Sequence, residues 1–122
     1  MQIDAVIEPI ANVTVANYNC PGQIVITGRT AGIEQASKVL KEAGAKRVVP
    51  LNVSGPFHSP MLRSAGEKLG KELMTVQLGE LKIPYVTNVT AEYVTDSSRI
   101  RELLTRQVYS PVRWEQSIRK MI

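Results

Sequence analysis

NVTVANYNCPGQIVITG (12–28) alternates β-branched and polar residues, breaks at Cys-Pro-Gly, and resumes as a Val/Ile run closed by Gly28. Two strand-like runs separated by a Pro-Gly turn read as a β-hairpin, because those residues supply the backbone angles of a tight reversal. Outward from the hairpin, Ile33, Ala36, Val39, Leu40 and Ala43 recur at helical spacing, with Thr30 placed as an N-cap and Gly44 as a stop. AKRVVPLNV (45–53) then reads as a third strand. On the N-terminal side, Ile3, Val6, Ile7 and Ile10 with Pro9 predict a helical turn or two. The order α-β-β-α-β is that of a ferredoxin-like split β-α-β layer lacking its first strand. The fold class expected is α+β.

The second half has a different character. Pro60 to Met74 forms an amphipathic helix through Met61, Leu62, Ala65, Leu69 and Leu73, with Ser59 as cap and Pro60 at the first helical position. KIPYVTNVT (82–90) reads as a strand. Ser97 or Ser98 is placed to cap a helix carrying Ile100, Leu103, Leu104 and Val108, and a last helix begins near Trp114 and runs through Ile118 and Met121. Its apolar face has no later element to cover it, so both ends of the chain read as cut. The expected division is 1–53, a partial small subdomain, and 54–122, helices and a strand that need a larger sheet to lean on.

Composition narrows the classes. The chain has 122 residues, 43% hydrophobic but only 5% aromatic, so its core is aliphatic. No run approaches the ~18 apolar residues of a membrane span, and MQIDAVIEPI is not a secretory signal. One cysteine excludes an internal disulfide and suits a reducing compartment, which reads as cytoplasmic. The three Asn-X-Ser/Thr tripeptides lie in strand-like surroundings and carry no weight without a signal. Net charge is +4, with a modest basic concentration at Lys38, Lys41, Lys46 and Arg47 against Glu42. Base-stacking aromatics and an Arg/Lys-dense groove-reading helix are both missing, which argues against nucleic acid. A weakly basic face suits an acidic protein or a polyanionic cofactor equally well. One His and one Cys make no metal site.

The chemistry concentrates at NVSGPFHSPM (52–61), which carries the sole histidine, His58. A loop between rigid elements presents an imidazole well, and histidine titrates nearest neutrality, so a general base is one reading. A capping or packing histidine is the other. Cys20 could pair with His58 as thiolate and imidazole, but it sits in a Pro-Gly turn and would need a partner within hydrogen-bond reach. Ser54 and Ser59 are too near His58 in sequence to aim at it across a substrate, and read as turn and cap residues.

Taken in order, NYNCPGQIVITG (17–28), AGAKRVVPLNVSGPFHSPM (43–61), PYVTNVT (84–90) and QVYSPVRWEQSI (107–118) resemble the malonyl-CoA:acyl carrier protein transacylase family over essentially the whole chain. The resemblance implies an α/β-hydrolase-like large subdomain with a ferredoxin-like small one inserted, and an active site between them. It implies a ping-pong acyl transfer in which a serine on a Gly-His-Ser-x-Gly elbow takes malonyl from coenzyme A and passes it to the phosphopantetheine thiol of acyl carrier protein. That chemistry needs an adjacent base and an oxyanion hole. By resemblance His58 is the base, its ring oriented by a backbone carbonyl. Phe57 narrows the acyl pocket against an α-methyl branch, a preference of about 1–3 kcal/mol. Asn17 and Asn19 lie in the motif facing the gap. Which of them meets substrate is open, as is the alternative that they tie up the hairpin backbone.

The departures matter as well. The chain contains no Gly-x-Ser-x-Gly, and the family's oxyanion glutamine, malonate-binding arginine and late glycine-rich segment are absent. It is therefore expected to hold an internal to C-terminal-middle part of such an enzyme, with no cofactor beyond the substrates, and to be inactive alone. The competing reading is a non-catalytic module docking acyl carrier protein through the Lys38–Arg47 region. A ferredoxin-like RNA binder is disfavoured by strands without aromatics.

Overall fold

In the computed structural model, which describes residues 2–122, the hairpin forms as the sequence requires. Strand β1 (Val13–Cys20) pairs antiparallel with β2 (Gln23–Gly28). Helix α1 (Ile3–Ile7) precedes them and α2 (Thr30–Glu42) follows. The cluster they enclose is aliphatic: Ile7, Ile10, Val13, Val15, Ala36 and Leu40 are buried, with Ile24, Ile26, Tyr18 and Val48 packed around them. The predicted apolar period of α2 therefore meets the alternating face of β1, each covering the other.

Two irregularities interrupt the hairpin register, one between Val15 and Asn17 and one between Tyr18 and Cys20. The first is a bulge at Ala16. In strict alternation the odd positions would stay inward, and Asn17 and Asn19 would share the core face with Val13 and Val15. One extra residue reverses the parity beyond it. Tyr18 now packs on the core, and Asn17, paired with Val25, turns to the opposite face, the one Thr14 occupies, while Asn19 falls at the second irregularity.

Several expectations are corrected. The third strand expected at 45–53 pairs with nothing: the segment carries no ladder, and Val49, Leu51 and Val53 stand more than half exposed. Its only internal backbone bond is Val53 N–H to Leu51 C=O at 3.1 Å, and Pro50 removes one donor outright. The strand expected over 82–90 shrinks to β3 (Tyr85–Val86), paired antiparallel with an unforeseen β4 (Tyr93–Val94). Pro84 cannot donate, and Thr87 and Thr90 bond the nearby backbone at Val89 and Glu92, so a tight turn outcompetes the ladder. Thr30 does not cap α2; Arg29 holds that position, without a side-chain bond.

Ser59 does cap its helix. Its Oγ accepts the Met61 N–H at 3.2 Å, and a 3-10 turn (Pro60–Leu62) leads into α3 (Arg63–Leu73). The expected apolar stripe of α3 is not what buries it, since Met61 and Leu69 are exposed. Gly66 and Gly70 instead let α4 (Ile100–Gln107) approach closely: a Cβ on Gly66 would lie 2.6 Å from the Tyr109 ring. Arg101 locks the pair, donating from Nε to Leu73 C=O at 2.8 Å and from Nη2 to Val76 C=O at 2.6 Å. Leu103 faces the small cluster with Val89 and Val94.

The cap before α4 is Asp96, not Ser97 or Ser98; its Oδ1 accepts the Ser98 N–H at 2.8 Å. That bond to backbone holds its carboxyl below the usual range. A depressed folded pKa stabilises above the unfolded value and is lost as pH falls through the folded one. Asp96→Ala should therefore lower the melting temperature at neutral pH, and the gap from the parent should close on acidification below about pH 4. A gap that persists in acid would mean that the carboxylate bond is not the cause.

Finally β5 (Val112–Arg113) adds parallel to β1, opposite Asn17 and Tyr18, and α5 (Trp114–Met121) packs on the same strand. The order in this sheet is β2-β1-β5. The architecture is α+β, and contacts between its halves cross residue 53. No helix among the described residues is long and apolar enough to cross a membrane.

Candidate functional site

Ser-Gly-Pro (54–56) turns the chain sharply and Phe57 N–H closes onto Gly55 C=O at 3.0 Å. His58 then adopts φ +56, the left-handed region that β-carbon crowding disfavours by about 1–2 kcal/mol. Such a conformation persists only where the surroundings over-determine it. Ser59 is the first restraint: it is 1% exposed and bonded through both its Oγ and its C=O to the turn that follows.

The second restraint comes from far along the chain. His58 Nδ1 lies 3.1 Å from the backbone oxygen of Gln107. Gln107 ends α4, where carbonyls have no intrahelical partner and are free to accept. A carbonyl only accepts, so Nδ1 carries the hydrogen and Nε2 is left with its lone pair. Because α3 leads out of the histidine turn and α4 ends at Gln107, the Gly66–Tyr109 contact and the Arg101 bonds set this distance. The family resemblance implied a backbone carbonyl at this ring without naming Gln107. The signal was QVYSP (107–111), a helix end before a proline.

Between the turn and the hairpin runs a groove of about 240 Å³, lined by Asn12, Val13 and Thr14 on one side and Ser59, Pro60 and Met61 on the other. Thr14 Oγ1 is buried with no hydrogen-bond partner. The face of β1 that carries Thr14 is the one to which the bulge turns Asn17. Among the described residues neither asparagine side chain is hydrogen-bonded within the chain, so neither ties up the hairpin. Phe57 is half exposed on the turn beside His58. Cys20 lies at the far tip of the hairpin, exposed, with Sγ 3.6 Å from Gln23 Oε1 and no link to His58. The basic residues Lys38, Lys41, Lys46 and Arg47 are all exposed.

Arg113 stacks over the Tyr18 ring at 5.5 Å, and Tyr18 donates to Asp4 at 2.9 Å. Burial first, and then the Asp4 carboxylate, push the Tyr18 phenol above its ordinary value. This trio fastens β5 and α1 to β1. A second hollow, bounded by Thr90, Glu92, Arg113, Gln116 and Lys120, contains none of the candidate site residues His58, Phe57, Asn17 and Asn19. Among the described residues no cluster of His, Cys, Asp or Glu is placed to hold a metal.

The chain is 49% identical over 119 residues to the malonyl CoA-acyl carrier protein transacylase of Bacillus subtilis, covering 98% of itself and 38% of that protein. The Escherichia coli transacylase is 40% identical over 109 residues. This chain is homologous to the malonyl CoA-acyl carrier protein transacylases. An acyl carrier protein S-malonyltransferase of Vibrio cholerae superposes with a TM-score of 0.94 at 38% identity, over 98% of this chain and 40% of the other. A malonyl-transacylase solved in complex with a type II PKS acyl-carrier protein gives 0.87 at 39% identity, over 92% of this chain and 37% of that one. No family model matches the chain. The chain thus spans well under half the length of the transacylases it matches.

Proposed function

We propose that this chain furnishes the base side of a malonyl transfer from coenzyme A to acyl carrier protein, with His58 as the general base. The observation that carries the reading is the Nδ1 to Gln107 carbonyl bond, which leaves Nε2 free to take a proton. A serine hydroxyl, borne on polypeptide outside this sequence, attacks the malonyl thioester while Nε2 accepts its proton. The tetrahedral adduct collapses, expelling the thiolate of coenzyme A, which takes that proton back from the ring. In the second half the phosphopantetheine thiol attacks the serine ester, loses its proton to Nε2, and the serine leaves as its hydroxyl. No bound cofactor takes part, and the setting is the cytoplasm, where an exposed Cys20 stays reduced.

Phe57 borders the acyl group and disfavours an α-methyl branch. Asn17, on the strand face that Thr14 shares with the groove, and Asn19 at the second irregularity beyond it are the residues of the hairpin that address the substrate. The exposed Lys38, Lys41, Lys46 and Arg47 favour a docking role for acidic acyl carrier protein as well, and salt-sensitive binding is its signature.

The test is the tautomer. Nitrogen-15 spectra of the ring at a pH where His58 is neutral should show the hydrogen on Nδ1. A ring carrying it on Nε2, or exchanging equally between the two, removes the base from the mechanism.

A further inference from the structure

Asn17 and Tyr18 form the dipeptide between the two register irregularities of β1, which fall between Val15 and Asn17 and between Tyr18 and Cys20. β2 meets this dipeptide only at Val25 and Ile24, because each irregularity breaks the ladder locally and changes the twist. β5 pairs with the same dipeptide and with nothing else of β1: Asn17 lies opposite Val112 and Tyr18 opposite Arg113. So short a parallel ladder is weak by itself. Side chains reinforce it. The Arg113 guanidinium lies 5.5 Å over the centre of the Tyr18 ring, and the Tyr18 hydroxyl donates to Asp4 at 2.9 Å.

Arg113 is held from both sides along its own backbone. Its N–H donates to Asn88 C=O at 3.1 Å, and its C=O accepts the hydroxyl of the buried Ser117 at 2.8 Å. Among the described residues its guanidinium forms no ion pair and no hydrogen bond, which leaves the Tyr18 ring as its partner. The stretch 107–113 therefore serves both sides of the groove. Gln107 at its start accepts from His58 Nδ1 at 3.1 Å, and Arg113 at its end covers the ring beside Asn17.

We propose that Arg113 is a positioning residue for substrate binding: by clamping the Tyr18 ring to β5, it sets the direction in which Asn17 faces the substrate. Adjacent residues of a strand point to opposite faces, so whatever holds Tyr18 on the core side holds Asn17 on the other. Arg113 does this without touching the substrate. The inference rests on the reading of Asn17 as a substrate-facing residue and makes no use of the proton transfer assigned to His58.

The test is kinetic, with the chain grafted into the Bacillus subtilis relative across the 119 matched residues. Arg113→Met keeps the apolar stem and loses the cation. It should raise KM for malonyl-CoA by about tenfold or more and leave kcat within about twofold of the parent. The pH at which kcat/KM falls away in acid should not move. Tyr18→Phe keeps a ring under the guanidinium and should stay within about twofold of the parent KM, whereas Tyr18→Leu should match Arg113→Met. Asn17→Ala alone should raise KM comparably, and Arg113→Met should add nothing in that background, because residues acting through one another are not additive. Full multiplication of the two effects overturns the inference. So does a loss confined to kcat, or a shift of the acid limb, since either places the action of Arg113 at folding or at His58. In each of those outcomes Asn17→Ala still raises KM. Should Asn17→Ala leave KM at the parent value, the assignment of Asn17 to the substrate falls together with this inference.

Discussion

Replacing His58 by alanine in a transacylase should cut the turnover of malonyl transfer by about 10²–10⁴-fold. The measurement grafts this chain into the Bacillus subtilis relative in place of the matched 119 residues and follows radiolabelled malonyl from coenzyme A to acyl carrier protein. Removing the imidazole leaves the serine hydroxyl without an acceptor for its proton, which raises the barrier by about 3–5 kcal/mol. The loss should fall mainly on kcat, because a proton taken only in the transition state does not enter substrate binding. His58→Gly separates chemistry from folding. Glycine fits the left-handed backbone better than histidine does, so that variant should stay folded while being equally slow. Turnover within twofold of the parent in either variant would remove His58 from the reaction.

Gly28→Ala should cost on the order of 3 kcal/mol of stability, the upper end of overpacking penalties. A Cβ there would sit 1.9 Å from the backbone oxygen of Asn12, and that oxygen also accepts the Arg29 N–H at 3.1 Å. Neither strand can retreat cheaply, because Val13 opposite Gly28 is the first rung of the hairpin and is buried in the core. Gly22→Ala is the control. It carries φ +81 but has nothing within 4 Å, so it should lose only about 1 kcal/mol to backbone strain. Urea unfolding of the two variants decides the matter: equal losses would show that contact with Asn12 is not what demands a glycine at position 28.

The hairpin, α2 and the histidine turn were legible because their signals are local. Pro-Gly fixes a reversal, the spacing of Ile33, Ala36 and Leu40 fixes a helix face, and Ser59-Pro60 fixes a helix start. The expected strands at 45–53 and 82–90 failed for the opposite reason. β propensity describes fitness for a pleated surface, but a strand exists only when a neighbour receives its backbone groups. Residues 46–53 have the propensity without the neighbour. At 82–90 the threonines and Pro84 drew the backbone into a turn after two residues.

The candidate site divides in the same way. The sequence by itself determined that one imidazole sits on a turn before a capped helix, and that two asparagines lie on the hairpin. Only the tertiary structure decided what these residues face. The bulge at Ala16 turns Asn17 away from the core, and the closeness of α3 and α4 at Gly66 brings the Gln107 carbonyl to His58 across 49 positions of chain. The physical reason is that local sequence sets dihedral preferences. The parity of a strand and the partner of a ring nitrogen are instead set by packing between elements that share no local signal.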